Sequence, residues 1–288
     1  MIRFLQSLLL LLAFVFVAPS SAAATRSDQS STTTLRLVTL SPNLTEIAFA
    51  LGRGEQVVGV TTYCRWPEEA DQRQQVGALY DLNTELVLSL RPTHVLHTSD
   101  HRGAIDRLRS VGVQTEHLPV ESIADIQRTI TRMGELLGSE AQATKLNQGI
   151  SADFAALQAA HYGKPRIRTL LVVDNPSGEL RQIYVLGPGT FLHAMLEAIG
   201  CENVMEGSKA FYPQVSREYL IAHPPQLVIT STDQATAEMK AEWKKFLGGR
   251  EDVVFLYRDD PHLMIPGPSI GRKARELSEE IERVFPRP

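Results

Sequence analysis

Gly267-Pro268-Ser269-Ile270-Gly271 has the G-x-S-x-G spacing of a serine nucleophile carried on a strand-to-helix turn. That chemistry needs a strand before the serine and an acid and a histidine after it. The last histidine of the chain, His262, precedes Ser269, and Pro266 and Pro268 spoil a strand running into the turn. The pentapeptide reads as a Pro/Gly loop in which Ser269 or Gly271 opens the final helix, and no catalysis is expected. His94, His97 and His101 form a second chemical set. Zinc or manganese wants three or four converging N, O or S donors. In an extended strand His94 and His97 point to opposite faces. His101 follows in Thr98–Gly103, read as a solvated loop at a cleft rim, and no metal site is assigned. Gly187-Pro188-Gly189-Thr190 is a glycine-rich turn, but Pro188 removes a donor and no lysine follows. Thr190 reads as a helix N-cap.

The aromatic residues point elsewhere. Tyr63, Trp66, Tyr80, Tyr184 and Tyr212 all fall where loops are expected, after strands or before helices. Ring faces and phenol hydroxyls at such connections suit a flat, amphipathic ligand. His262 lies in a further rim loop, Arg258–Leu263, open to two readings: an axial ligand to a bound metallocycle, or a hydrogen-bonding surface residue. Cys64 and Cys201 fall in different halves of the chain and read as two thiols.

These residues need a frame. Leu35–Leu40, Val57–Thr61, His94–Thr98 and Gln114–Leu118 read as strands, with helices at Leu44–Leu51, Thr84–Leu90 and Ala104–Val111. A second set of strands runs at Arg168–Val173, Gln226–Thr230 and Val253–Tyr257, with helices near Thr190–Ile199, Val215–Ala222 and Arg272–Val284. Such alternation argues an α/β fold with largely parallel sheets. Between the sets, Ile123–His161 carries no strand signal. Gly138 ends one helix there and Ser139 starts the next, whose apolar residues Ala143, Leu146, Ile150, Phe154 and Leu157 keep helical spacing. The halves repeat one another. Glu85 to Leu96 lies on Glu218 to Ile229 without a gap, as glutamate, apolar helix, proline and strand. Ala50-Leu51-Gly52 is echoed by Ala198-Ile199-Gly200. Two similar lobes leave a cleft between them.

The chain has 288 residues, 43% hydrophobic and 22% charged, with a formal net charge of −4. That balance offers no cationic field for nucleic acid. Residues 1–24 combine Arg3, an apolar run from Leu8 to Ala18 and small residues at Ala22–Ala24, the pattern of a secretory signal peptide. The expected organisation is signal peptide 1–24, disordered leader 25–34, N-terminal lobe 35–138, connecting helix 139–163 and C-terminal lobe 164–288.

Over Leu35 to about Val284 the chain resembles the substrate-binding proteins of vitamin B12, haem and ferric-siderophore ABC importers. The motifs are Thr39-Leu40-Ser41-Pro42-Asn43-Leu44-Thr45-Glu46, Val58-Gly59-Val60-Thr61-Thr62-Tyr63 and Asn83-Thr84-Glu85. Tyr212-Pro213-Gln214-Val215-Ser216-Arg217-Glu218 and Pro225-Gln226-Leu227-Val228-Ile229-Thr230 complete them. The cobalamin-binding branch is the most similar. The resemblance implies two Rossmann-like lobes joined by one long α-helix, a class III periplasmic binding protein. It implies a monomeric periplasmic receptor without cofactor or catalysis, carrying cobalamin or a related metallocycle. Glu85 and Glu218 would dock on an inner-membrane ABC permease dimer. Tyr63, Tyr184 and Tyr212 match aromatic cleft positions. Leu79, with Tyr80 beside it, stands where that branch has a tryptophan, and the His262 loop lacks the branch's arginine.

Overall fold

The computed structural model describes residues 35–99, 101–174, 180, 182–231, 237–258 and 261–286. The expected signal peptide and leader lie outside the described residues. Leu35–Pro288 forms one compact unit.

The first sheet has five strands: β1 (Leu37–Thr39), β2 (Val57–Val60), β3 (Gln74–Gln75), β4 (His94–His97) and β5 (Gln114–His117), in the order β3-β2-β1-β4-β5. All of its pairings are parallel. Helices α1 (Pro42–Ala50), α2 (Glu68–Asp71), α3 (Thr84–Ser89) and α4 (Ala104–Ser110) intervene. β1 is central and buried throughout, as a strand covered on both faces must be. The chain leaves β1 towards β2 on one side and later crosses to β4 on the other. The loops after β1 and β4 therefore part at a topological switch point, where open α/β sheets hold ligands.

Two helices follow, α5 (Ile123–Leu137) and α6 (Glu140–His161). Gly138, at φ 61°, takes the left-handed conformation that stops α5, and Ser139 precedes α6. A Cβ on Gly134 would sit 2.5 Å from the Ala143 Cβ, so glycine permits the tight crossing of α5 on α6. The 22 residues of α6 span about 33 Å at ~1.5 Å per residue.

The second sheet contains β6 (Ile167–Asp174), β7 (Ile183–Val185), β8 (Cys201–Asn203), β9 (Gln214–Val215), β10 (Leu227–Ser231) and β11 (Val254–Arg258). Its order is β11-β10-β6-β7-β9, with β8 also on β6. β8 and β10 run parallel to β6, and β11 parallel to β10; β7 runs antiparallel to both β6 and β9. Helices α7 (Phe191–Ala198), α8 (Arg217–Ala222), α9 (Ala237–Phe246) and α10 (Ile270–Val284) complete the chain.

The repeat read from sequence is a repeat of structure. β1-α1-β2 corresponds to β6-α7-β8, and α3-β4 to α8-β10. Gly52 and Gly200, both at φ 73°, reverse the chain after α1 and α7. The long helix is more than a bare connector. One apolar cluster runs from Leu37 and Leu96 of the first sheet, through Ile126, Met133, Ile150 and Leu157, to Leu171, Leu227 and Leu277. α10 locks the assembly: its Arg275 pairs with Asp153 of α6. Its Lys273 lies 4.0 Å from Glu46 of α1, both side chains being buried.

Three local expectations need correction. Tyr184 lies in β7, not in a loop, because a three-residue strand beside a glycine-rich turn leaves no periodicity to read. Val215 belongs to β9, and α8 begins two residues later, behind its cap Ser216. His101 is buried rather than solvated, at 3% exposure and φ 49°.

Candidate functional site

In the first sheet the exposed rings follow the carboxyl ends of β2 and β3. Tyr63 sits in the turn after β2. Thr61 accepts from the Cys64 amide at 3.0 Å, and the Thr61 hydroxyl lies 3.1 Å from the Cys64 sulfur, which tucks the cysteine inward and turns Tyr63 out. Burial pushes the Cys64 thiol pKa up, so it is a neutral packing group. Leu79 and Tyr80 occupy the turn after β3, shaped by the Ala78 amide donating to Asp81 at 2.7 Å. Tyr63 is 67% exposed, Tyr80 68% and Trp66 48%, far more than rings in a filled core.

The second half presents its rings from and beside the antiparallel strands. Tyr184 lies between Ile183 and Val185, which are buried, so the strand's alternation turns its ring outward. Phe211 and Tyr212 precede β9. The Gly187 amide donates to the Phe211 carbonyl at 2.7 Å, and the Val185 amide to the Pro213 carbonyl at 3.0 Å, fixing that segment against β7. Phe211, half exposed, was not singled out from sequence; its place beside Tyr212 was the available signal.

Two contacts at Glu121 tie the halves together near Tyr212. The Tyr212 hydroxyl donates to the Glu121 carboxylate at 2.7 Å. The Glu121 carbonyl accepts from the Phe191 amide at the start of α7, also at 2.7 Å. Burial, and then the bond to Glu121 and its charge, push the Tyr212 hydroxyl pKa well up, so it stays a protonated donor. Near the rim, the rings of Trp66 and His262 meet edge to face, 5.8 Å apart. Glu121 was missed by sequence reading, because nothing local distinguishes a carboxylate beyond the last strand of a lobe. The result is a set of exposed side chains on both halves, Tyr63, Leu79 and Tyr80 from the first and Tyr184 and Tyr212 from the second, with Tyr212 tied across to Glu121. Such a surface stacks on flat ligands and hydrogen-bonds their edges.

Glu85 and Glu218 occupy the same place in two six-residue helices, second after the cap. Asn83 accepts from the Leu86 amide at 2.9 Å and Ser216 from the Tyr219 amide at 3.2 Å. Both glutamates are exposed, and neither has an ion-pair partner among the described residues. The other chemical sets do not converge. Among the described residues no three His, Cys, Asp or Glu side chains are grouped to hold a metal. His97 is buried, with Nδ1 at 2.6 Å from the Ser99 carbonyl, and its burial lowers its pKa. Ser269 stands at the start of α10, its amide donating to Glu46 at 3.1 Å. Thr190 caps α7, accepting from the His193 amide at 3.1 Å. Cys64 and Cys201 are both buried thiols.

A family model described as periplasmic binding protein matches residues 37–248. A vitamin B12-binding protein of Salmonella typhimurium is 30% identical over 198 residues, 68% of this chain and 72% of its own. An uncharacterized ABC transporter substrate-binding lipoprotein of Bacillus subtilis is 29% identical over 255 residues, 85% of this chain and 79% of its own. Two solved structures from Vibrio cholerae share the fold. A periplasmic heme-binding protein has a TM-score of 0.74 at 24% identity, covering 88% of this chain and 100% of its own. A periplasmic vitamin B12-binding protein has a TM-score of 0.72 at 22% identity, covering 87% and 98%.

Proposed function

Because this chain belongs to the periplasmic binding protein family, we propose that it is the periplasmic receptor of an ABC importer. It captures cobalamin between its two halves and hands it to an inner-membrane permease dimer. The observation that carries this reading is the set of rings left exposed on the two halves, one of which, Tyr212, is bonded across to Glu121. A monomer burying no ligand there has no reason to hold them in water. Tyr63, Leu79 and Tyr80 form one face of the ligand site, Tyr184 and Tyr212 the other, and His262 its rim. The 30% identity to a protein named for vitamin B12 binding supports the choice of ligand. Glu85 and Glu218 are the docking pair: two exposed carboxylates at equivalent helix positions suit a two-fold symmetric partner and set orientation and on-rate. The receptor acts as a monomer and performs no chemistry.

Haem is the second reading, favoured by His262 at the rim against Trp66. Tyr212 does not serve that reading as a phenolate, since its hydroxyl donates to Glu121. Calorimetric titration of the mature protein with cyanocobalamin, hemin and a ferric hydroxamate decides. One-to-one binding of cyanocobalamin alone is expected. Hemin binding with a shifted absorption band, lost in His262→Ala, would move the assignment to haem.

A further inference from the structure

α3 and α8 agree in more than their glutamates. Laid in register, Glu85 meets Glu218, Leu86 meets Tyr219, Val87 meets Leu220, Leu88 meets Ile221 and Ser89 meets Ala222. Exposure follows the same order in both helices. The glutamate is exposed, the next residue half-buried, the third buried and the last two exposed. Val87 and Leu220 pack into apolar clusters of their own halves. Leu88 is 38% exposed and Ile221 48%. Residues three and four positions apart share one face of a helix. Each outer face therefore carries a glutamate, an aliphatic side chain and a small residue. The Ser89 hydroxyl donates to the Leu86 carbonyl at 2.7 Å, so that position adds little polarity to its face. The Arg217 guanidinium donates to the Lys245 and Phe246 carbonyls at the end of α9, away from Glu218.

A helix that meets only water carries polar residues on its outer face. One exposed aliphatic residue is ordinary on a protein surface. The same exposure at the same register of both halves is not, and the repeat does not produce it elsewhere. α4 and α9 also correspond, lying between β4 and β5 and between β10 and β11, each ending before a glycine at positive φ, Gly112 and Gly248. Yet Val111 after α4 is 61% exposed while Leu247 after α9 is buried. We propose that Leu88 and Ile221 are paired apolar anchors that seat in the permease dimer beside the groups that receive Glu85 and Glu218. The anchors share a helix face with the docking glutamates, so the inference rests on the docking reading and adds the chemistry of the socket. Each permease subunit then offers a cationic group bordered, about one helical turn away, by an apolar pocket. The two contacts divide the work. Charge sets orientation and on-rate and weakens in salt. Apolar burial is insensitive to charge screening and slows dissociation.

The test compares Leu88→Gln and Ile221→Gln with Glu85→Gln and Glu218→Gln, using the mature protein and the permease dimer in lipid nanodiscs. Glutamine keeps the helix propensity and removes the apolar surface. Each aliphatic variant should weaken permease binding about tenfold, through faster dissociation, by the same factor at low and high salt. The glutamate variants should lose affinity at low salt and little more at high salt. Melting temperatures of all four should stay within ~2 °C of wild type, as for exposed positions. A fall of several degrees in Leu88→Gln or Ile221→Gln makes these residues part of the fold and overturns the anchors. Unchanged permease affinity in the aliphatic variants, with the glutamate variants weakened, overturns the anchors and leaves the docking pair standing. Unchanged affinity in all four overturns both. A second readout uses Leu88→Cys and Ile221→Cys carrying an environment-sensitive dye, which is selective because Cys64 and Cys201 are buried. Emission at both sites should shift to the blue on adding the permease, and not at the control Val111→Cys. A shift at one site alone, or at neither, overturns the paired anchors. A wild-type dimer in sedimentation that Leu88→Gln abolishes would make a second copy of this chain the occupant, and overturns them too.

Discussion

The two halves share one plan and differ in how they present their exposed rings. Both place a parallel β-α-β unit at the centre and a capped helix with a glutamate at its second position on the outside. The first half keeps every strand parallel and presents its rings from turns. The second interposes β7 and β9, both paired antiparallel, and presents Tyr184 from a strand. A ring on a turn can be repositioned cheaply, whereas one on a strand is held by the register. The second half therefore holds the Tyr184 ring rigidly, and the first half presents rings that can adapt.

The bond between the halves is the most sensitive point. Glu46→Ala removes the carboxylate 4.0 Å from Lys273, which keeps its bond to the Ile265 carbonyl, and removes the acceptor of the Ser269 amide. The expected cost is about 2 kcal/mol, roughly 5 °C in Tm for a chain of this size, chiefly for the lost acceptor of the buried amide. Exposed Glu85→Gln, its control, shifts Tm by less than ~1 °C. Equal melting of the two variants by scanning calorimetry would remove α10 as the lock between halves.

The docking comparison is sharpened by charge reversal. Glu85→Arg and Glu218→Arg should each slow association with the reconstituted permease about tenfold, and by similar amounts, with cyanocobalamin affinity unchanged. An effect confined to one glutamate would break the equivalence of the halves. Next in size, Asn83→Ala and Ser216→Ala should each cost about 1 kcal/mol in denaturant unfolding, since each removes the same cap bond.

The smallest effect is one of pH and belongs to the first half. Burial holds His97 below its ordinary value of 6.5, and His94 likewise. A histidine with a lowered folded pKa is fully compatible with the fold above 6.5. Stability falls as pH drops below that value, because the unfolded chain binds the proton first. Hydrogen exchange between pH 7 and 5 should show β4 and β5 losing protection before β10 and β11, and His97→Asn should flatten the difference.

Much of the frame was legible in the chain. Gly138 stopped a helix where expected, Thr190 capped one, and the glutamate-helix-proline-strand repeat marked two equivalent units. These features follow from steric limits on φ, from cap chemistry and from periodicity, all of which act within a few residues. The tyrosines were legible as exposed candidates because rings at turns break the apolar pattern. β3, β7 and β9 were not, since strands of two or three residues exist only through the neighbours they pair with. Tyr184 was therefore assigned to a loop and His101 to solvent.

By itself the sequence determined the α/β class, the duplication, the position of the long helix and the rings available to a ligand. Each is written in spacing along the chain. Only the tertiary structure decided that Glu121 meets Tyr212 and that Glu46 meets Lys273 across the halves. These are encounters between residues up to more than two hundred positions apart, and burial and partnership are properties of the packed molecule rather than of any local stretch.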